Sequence, residues 1–267
     1  MKLSIVVSTQ PASFTALAYK GRLDKNLVKI KKFGYDGVEL AVRDPELLNV
    51  DDLEKKLKEK AIPVSALGTG QAYGEEGLSF THPDHTIRKK AVERIKSQIT
   101  LASRLDAVVI IGLIRGRTQQ NVPESKAEEW MLEAFRELGE EDPNVKLVIE
   151  PINRYETDIL NTVESAMQFL DKLNMDNVGL LLDTFHMNIE EPSMYDSIEE
   201  AKDRLFHFHV ADSNRWYPGG GHIKFENIIN LLKRIGYQKF VSAEILPHPD
   251  PDTAALKTIE CLGPMIK

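Results

Sequence analysis

Short apolar runs alternate with amphipathic stretches along the whole chain. Eight runs are dense in Val, Ile and Leu, and their length is typical of strands that are covered on both faces. The predicted strands are 2–7, 36–41, 62–67, 107–112, 145–150, 178–183, 205–210 and 240–245. The stretches between them carry apolar residues at helical spacing. The predicted helices are 25–33, 50–60, 83–105, 126–138, 163–173, 197–204, 225–236 and 253–265.

This alternation predicts the α/β class and a single (β/α)8 TIM barrel domain that spans residues 1–267. Eight parallel strands joined by right-handed helical crossovers close into such a barrel at this chain length. An open doubly wound sheet is the alternative, but the segment after the first strand lacks a glycine-rich phosphate-binding fingerprint. In a barrel the active site lies at the carboxyl ends of the strands. We therefore expect functional residues at those ends.

Composition and charge narrow the class of function. The chain has 267 residues, a formal net charge of −7 and one cysteine, Cys261. The acidic balance disfavours nucleic acid as the main partner, because phosphate binding needs an excess of Lys and Arg. No membrane partner is expected, since the longest apolar run, 107–114, is too short to cross a bilayer. A lone cysteine excludes an intrachain disulfide and favours a cytoplasmic location.

Polar residues stand at the carboxyl ends of the last four predicted strands. Several carboxylates placed together repel one another unless a cation neutralises them. Three carboxylates and one imidazole form a ligand set that suits Mn²⁺ or Mg²⁺ better than a structural zinc. We refer to these four residues as the strand-end cluster: Glu150, Asp183, His209 and Glu244. The sequence thus indicates a metal-dependent enzyme.

Members of the strand-end cluster also have structural interpretations when they are taken singly. Glu150 could pair with a nearby arginine, and an isolated Asp183 would more often cap the next helix. His207 lies two residues before His209, so both side chains leave the strand on the same side. For His207 we expect a hydrogen-bonded core histidine.

Four motifs carry a family resemblance. They are, in chain order, EPINRYET, LLLDTFHMN, HFHVADSNRWYPGGGHIKF and SAEI. Their order and spacing resemble the xylose-isomerase-like barrel superfamily and, within it, ketose 3-epimerases of the D-tagatose 3-epimerase type. The resemblance covers nearly the whole chain. It implies one divalent ion, Mn²⁺ before Mg²⁺ or Co²⁺, held by the strand-end cluster. It also implies three substrate-binding residues: Glu156, His186 and Arg215.

The implied reaction inverts carbon 3 of a ketose or a keto-sugar acid, so the partner is a small-molecule sugar. The hydrogen on carbon 3 is acidic because it is next to a carbonyl group, and a bound dication would stabilise the developing enediolate. Glu150 and Glu244 are the predicted catalytic pair, which would remove the proton from one face and return it on the other. The two carboxyl groups should titrate as a coupled pair. Similarity to such enzymes also implies a homodimer or homotetramer.

Three other functions stay open. A sugar aldose–ketose isomerase of the hydroxypyruvate or xylose isomerase type would use the same metal and carboxylates to move hydrogen between carbons 1 and 2. An endonuclease IV-like DNA repair enzyme shares the barrel but needs further histidines, which the ends of the third and fourth predicted strands lack. A catalytically inactive sugar-binding barrel is the third. Carbon-specific isotope exchange separates the two sugar enzymes.

Two loops are candidates for contact with the substrate. The segment 68–81 is long enough to act as a lid, with Phe14 and Tyr73 as candidate contacts whose more usual role is packing. The glycine loop 216–222 either borders the substrate or forms a plain turn.

Three arginines follow the second and fourth predicted strands: Arg43, Arg115 and Arg117. Arginines in such places are usually solvated. One that faced the site would favour a substrate with a carboxylate or a phosphate, because guanidinium pairs well with either group.

Overall fold

A computed structural model describes residues 1–266 and contains a closed barrel of eight parallel strands. The strands are β1 Lys2–Ser8, β2 Val38–Ala41, β3 Val64–Gly68, β4 Val108–Ile111, β5 Leu147–Ile149, β6 Val178–Asp183, β7 Leu205–Val210 and β8 Phe240–Ala243. Each strand pairs with the next, and β8 pairs with β1 from Lys2 opposite Phe240 to Ile5 opposite Ala243. The predicted (β/α)8 barrel is confirmed.

Ten α-helices surround or cap the strands within residues 1–266. They are α1 Leu23–Phe33, α2 Val50–Glu59, α3 Gly70–Glu76, α4 His85–Leu105, α5 Glu124–Glu141, α6 Val163–Leu173, α7 Thr184–Glu190, α8 Met194–Glu200, α9 Phe225–Arg234 and α10 Pro251–Ile266. Two short helices, α3 and α7, were not predicted. A two-residue strand, Tyr19–Lys20, also pairs beside β1 without having been predicted.

One helix was predicted in the wrong place. The expected range 197–204 is replaced by α8, which begins at Met194 and ends at Glu200. Ser193 sets the earlier start, because its hydroxyl accepts a hydrogen bond of 3.3 Å from the backbone N–H of Asp196. The short helix α8, of seven residues, thus connects α7 to β7.

The core has two layers, one inside the barrel and one between the strands and the outer helices. Inside, alternate residues of neighbouring strands form an apolar floor: Ala66, Ile110, Val148 and Leu181. Outside, Phe135 lies edge-on to Phe80 and Phe169, with ring centroids 6.0 and 5.4 Å apart. Side chains beyond the inner floor therefore point into one mouth at the carboxyl ends of the strands.

Within residues 1–266, none of the helices is both long enough and apolar enough to pass through a membrane.

Candidate active site

The strand-end cluster converges inside the mouth of the barrel. Glu150 directly follows β5, and Glu244 directly follows β8. Asp183 is the last residue of β6, and His209 is the penultimate residue of β7. One potential ligand atom from each of the four side chains lies within 4.8 Å of the others. The structure thus brings together all four residues that the sequence singled out for metal binding.

Three atoms of the strand-end cluster are buried without a hydrogen-bond partner: Glu150 Oε1, Asp183 Oδ2 and His209 Nδ1. His209 Nδ1 lies 3.8 Å from Glu150 Oε1 and 4.0 Å from Asp183 Oδ2, which is too far for a hydrogen bond. Buried acceptors without partners cost free energy. Oxygen atoms with one imidazole nitrogen are donors that fit a divalent cation, which would satisfy all three atoms.

Asp183 has both of the roles that its position suggested. Its Oδ1 accepts a hydrogen bond of 2.8 Å from the backbone N–H of Phe185 and so caps α7. Its Oδ2 stays free and faces the other ligands. The cap fixes the carboxylate, because one oxygen is held by the helix that follows the strand.

Burial and mutual repulsion raise the pKa of the cluster carboxyl groups. Desolvation and then the charge of Glu244 hold the pKa of Glu150 well above its usual range. Burial raises the pKa of Glu244 to about 7 against the opposing charges of Arg215 and His209. The pKa of Asp183 is also raised, chiefly by burial. A dication would favour the ionised forms and reverse these shifts.

A buried carboxylate on β2, Glu39, supports the cluster and was missed in the sequence analysis. Its Oε2 lies 2.8 Å from His207 Nε2 and 3.0 Å from His209 Nε2. Burial alone would raise the pKa of Glu39, but the two histidines outweigh it and lower the pKa. Burial would likewise lower the pKa of His209, yet Glu39 raises it to about 10. The prediction that His207 is a hydrogen-bonded core histidine is confirmed.

The signal for Glu39 was present in the sequence. It is a carboxylate inside the apolar run VELA, which is the same feature that drew attention to Glu150.

Arg215 links two carboxylates at the edge of the cluster. Its guanidinium lies 2.7 Å from Glu156 Oε1 and 3.0 Å from Glu244 Oε2. The rings of Phe14 and Phe185 flank it, with centroids 5.1 and 4.8 Å from the guanidinium carbon. The backbone of Arg215 has a φ of 62°, in the left-handed region that few side-chain-bearing residues adopt. This strain is located where the side chain enters the mouth.

His186 presents a neutral imidazole to the cluster. Its Nδ1 lies 2.7 Å from the side-chain amide nitrogen of Asn153, which also lies 3.1 Å from Glu156 Oε1. An amide nitrogen only donates, so Nδ1 accepts and Nε2 carries the proton. His186 Nε2 faces Glu150 Oε1 at 3.8 Å. Burial, followed by the charge of Arg215, lowers the pKa of His186 well below its usual value. Asn153, which orients both partners, was not singled out from the sequence.

A cavity of about 160 Å³ occupies the mouth and is lined by three members of the strand-end cluster, Glu150, His209 and Glu244, together with the three predicted substrate-binding residues. Part of the segment 68–81, predicted as a lid loop, folds as α3 and lines the rim. The carboxylate of Glu75 accepts a hydrogen bond of 2.7 Å from the backbone N–H of Ser13, which joins α3 to the loop after β1. Phe14 lines the cavity, whereas Tyr73 packs against the core.

The expectation of solvated arginines is wrong for Arg115. Its side chain is fully buried, and its guanidinium donates hydrogen bonds of 2.9 to 3.2 Å to the carbonyl oxygens of Gly112 and Ile159. Burial lowers the pKa of Arg115 to about 10. Arg43 pairs with Glu76 at 3.6 Å. Of the arginines among the described residues, Arg215 alone lines the cavity.

The glycine loop 216–222 contributes no residue to the cavity lining in the described part of the chain. The carboxylate of Asp212 holds this loop by accepting hydrogen bonds from the backbone N–H groups of Gly219 and Ile223, at 2.8 and 3.1 Å. Of the two interpretations of this loop, the structure favours an ordered turn.

Comparison with known proteins gives the family. Residues 27–265 match the family described as xylose isomerase-like TIM barrel. An L-ribulose 3-epimerase from Methylomonas sp. (strain DH-1) is 31% identical over 234 residues, which cover 82% of this chain and 77% of that protein. A ketose 3-epimerase from Arthrobacter globiformis is 29% identical over 231 residues, which cover 82% of this chain and 78% of that protein.

A solved structure agrees with the sequence relatives. The D-allulose 3-epimerase from Methylomonas sp. in complex with D-allulose has a TM-score of 0.81 and 26% identity, over 99% of this chain and 97% of that one. This structural match covers 99% of the chain and so includes the whole barrel. The family match over residues 27–265 includes strands β2 to β8. The chain therefore belongs to the xylose isomerase-like TIM barrel family, with ketose 3-epimerases among its relatives.

Proposed function

We propose that this protein is a divalent-metal-dependent isomerase that inverts carbon 3 of a ketose. The observation that carries the proposal is the set of three buried, unpartnered ligand atoms in the strand-end cluster. The named activities of the relatives support the same reaction. The cavity above the cluster, of about 160 Å³, has a size that suits a small metabolite.

The strand-end cluster would hold one ion, and we propose Mn²⁺ before Mg²⁺ or Co²⁺. Bound there, a dication supplies positive charge that favours ionised oxygen atoms on the sugar. The protein's part is to keep the ligands in place before the ion arrives. It does so through the cap that Asp183 makes on α7 and through the contact of Glu39 with His209.

Glu150 and Glu244 are the proposed proton-transfer pair. They follow β5 and β8, so their carboxylates enter the cavity from different sides of the barrel. Epimerisation needs one group that takes the proton from carbon 3 and a second that gives a proton to the opposite face. One carboxyl group must therefore start ionised and the other protonated, and their roles exchange for the reverse reaction.

Glu156, His186 and Arg215 are the proposed substrate-binding residues. His186 offers a neutral Nε2–H, which can donate a hydrogen bond to a sugar oxygen without adding charge. Arg215 is the one guanidinium or ammonium group among the described residues that line the cavity, and two carboxylates already neutralise it. Among the described residues that line the cavity, no unpaired guanidinium or ammonium group therefore remains for a phosphate or a carboxylate, which favours an uncharged ketose over a keto-sugar acid.

The assembly and location are proposed on narrower grounds. A homodimer or homotetramer follows from the resemblance alone, and light scattering after gel filtration tests it. A cytoplasmic location is supported by the single half-buried cysteine, Cys261.

The deciding experiment is turnover of a panel of ketopentoses and ketohexoses in deuterated water with Mn²⁺, followed by NMR. We expect deuterium at carbon 3 together with the carbon 3 epimer. Deuterium at carbon 2 of an aldose product, or at carbon 1 of the recovered ketose, would identify an aldose–ketose isomerase instead. Absence of exchange across the whole panel, from a protein that binds Mn²⁺, would contradict the proposed reaction.

A further inference from the structure

Glu39 contacts two histidines from across the barrel. It lies on β2, and both imidazoles lie on β7, with β1 and β8 between them. All three side chains are 1% exposed. His209 Nε2 lies 3.1 Å from Glu39 Oε1 and 3.0 Å from Oε2, while His207 Nε2 lies 2.8 Å from Oε2. Two imidazoles thus hold one carboxylate in a fixed orientation.

This contact determines which nitrogen of His209 can serve as a metal ligand. An imidazole that uses Nδ1 as a ligand keeps its single proton on Nε2. Glu39 accepts a hydrogen bond at that nitrogen, and Nδ1 is the buried atom that faces Glu150 and Asp183. The network therefore favours the tautomer that a metal site needs, and it also fixes the orientation of the ring.

We propose that Glu39 is a positioning residue that sets the affinity of the strand-end cluster for its divalent cation, acting through His209. His207 is the second support, because its contact keeps the carboxylate from rotating away. The inference rests on the metal site of the proposed function and adds two residues, Glu39 and His207, that are outside the proposed set of metal ligands.

The proposal predicts a specific defect in Glu39→Gln. A glutamine side chain of the same size replaces one carboxylate oxygen with a nitrogen that only donates. Both oxygens of Glu39 lie within 3.1 Å of His209 Nε2, so in either orientation of the amide this nitrogen meets the Nε2–H of His209 as donor against donor. One ring must turn or move its proton to Nδ1. When that ring is His209, the proton occupies the position of the ion. We expect Mn²⁺ to bind about 10- to 100-fold more weakly, as is typical when the hydrogen-bond partner of a ligand is lost.

The test measures Mn²⁺ binding to the full chain, stripped of metal, by the EPR signal of free Mn²⁺. Glu191→Gln is the matched control. Glu191 is a half-buried carboxylate that, like Glu39, has two hydrogen-bond partners, the N–H of Val163 at 2.8 Å and the hydroxyl of Ser197 at 2.7 Å, but it lies outside the cavity. We expect the control to lower the melting temperature and to leave the Mn²⁺ dissociation constant within twofold of the wild-type value.

The outcomes separate the two proposals. Unchanged Mn²⁺ affinity in a folded Glu39→Gln protein would overturn the role of Glu39 and leave the proposed reaction intact. Failure of the wild-type protein to bind Mn²⁺ would instead overturn the metal-dependent function.

A second measurement does not depend on the folding of a variant. In ¹⁵N-labelled wild-type protein loaded with diamagnetic Mg²⁺, we expect the ring protons of His207 and His209 on their Nε2 atoms. A proton on Nδ1 of His209 in that state would contradict the proposal directly.

Discussion

The two halves of the barrel mouth differ sharply in chemistry. The ends of β5 to β8, the charged half, carry the whole strand-end cluster. The ends of β1 to β4, the apolar half, contribute apolar side chains to the same cavity, among them Val6, Leu17, Ala41 and Leu113. Two carboxylates of this half also line the cavity: Glu39 contacts the histidines of the opposite half, and Glu75 accepts a hydrogen bond from the backbone N–H of Ser13. One half is therefore equipped for proton transfer, and the other shapes the space in which a substrate lies.

This difference predicts how variants of the two halves will behave. Changes in the charged half should affect the reaction itself, because the proposed acid, base and metal ligands all lie there. Changes in the apolar half should alter substrate affinity and choice, because its contacts are mostly van der Waals contacts.

Removal of the ion should have the largest effect. Treatment with EDTA leaves the buried carboxylates of the charged half without a neutralising charge, so we expect turnover of ketoses to stop and to return when Mn²⁺ is added. The ion should also raise the melting temperature, since a ligand at about 100 times its dissociation constant stabilises the folded state by about 2.7 kcal/mol. Full activity in EDTA, with residual metal excluded by elemental analysis, would contradict this prediction.

Glu150→Gln should come next. The variant loses a proposed proton-transfer group and a metal ligand while it keeps the size of the side chain, so we expect kcat to fall by about a thousandfold or more. Circular dichroism should show an intact fold. Burial disfavours the ionised form of Glu150, as its raised pKa indicates, and glutamine carries no charge at this position. Glu244→Gln should behave alike, and near-normal turnover in either variant would refute the pairing.

The metal-free protein should lose stability as the pH rises. The pKa of Glu244 is raised by burial to about 7, and that of His209 is raised to about 10 where Glu39 outweighs burial. A group whose pKa is higher in the folded protein than in the unfolded chain stabilises the fold at any pH below its unfolded-state pKa. This stabilisation is lost as the pH rises through the folded-state pKa. In EDTA we therefore expect the melting temperature to fall between about pH 5 and pH 9.

Mn²⁺ should flatten this pH profile, because it favours the ionised carboxylates. Glu244→Gln should show a smaller fall below about pH 7, since it lacks the group that titrates there. A melting temperature in EDTA that rises over this range would be inconsistent with the buried, repelling carboxyl groups.

Leu113→Ala tests the apolar half and should have the smallest effect. Leu113 is partly buried, lines the cavity and lies outside the charged half. We expect KM for the best ketose to rise about three- to tenfold, with kcat within about twofold of the wild-type value, because an apolar contact is lost from both ground and transition states. A fall in kcat comparable to that of Glu150→Gln would remove the distinction between the halves.

The sequence was sufficient for most of the barrel and for the charged half. Strands covered on both faces are continuous apolar runs, so their positions could be predicted to within a few residues. A carboxylate at the end of such a run, as at Glu150 and Glu244, is conspicuous because burial without a partner is costly. The same physical contrast made both the fold and the cluster predictable.

What escaped prediction depends on contacts between distant segments. The short helices α3 and α7 lie in the connections after β3 and β6, and Asp183 holds the start of α7 while also facing the cluster. Burial of Arg115 depends on the carbonyl of Ile159, 44 residues further along the chain. The apolar run around Glu39 marks its carboxylate as unusual, but the histidines that it contacts lie about 170 residues away, so its role could not be predicted. Local patterns cannot supply such pairings.

Gly112, at the end of β4, limits how this mouth can be redesigned. A β-carbon added there would lie 2.9 Å from Glu150 Oε2 and 3.4 Å from Ile152 Cδ1. Even alanine would therefore displace the Glu150 carboxylate, although position 112 is in the half that otherwise tolerates change. Combinatorial libraries that aim to broaden the range of accepted sugars should vary the neighbouring wall and leave this single position untouched.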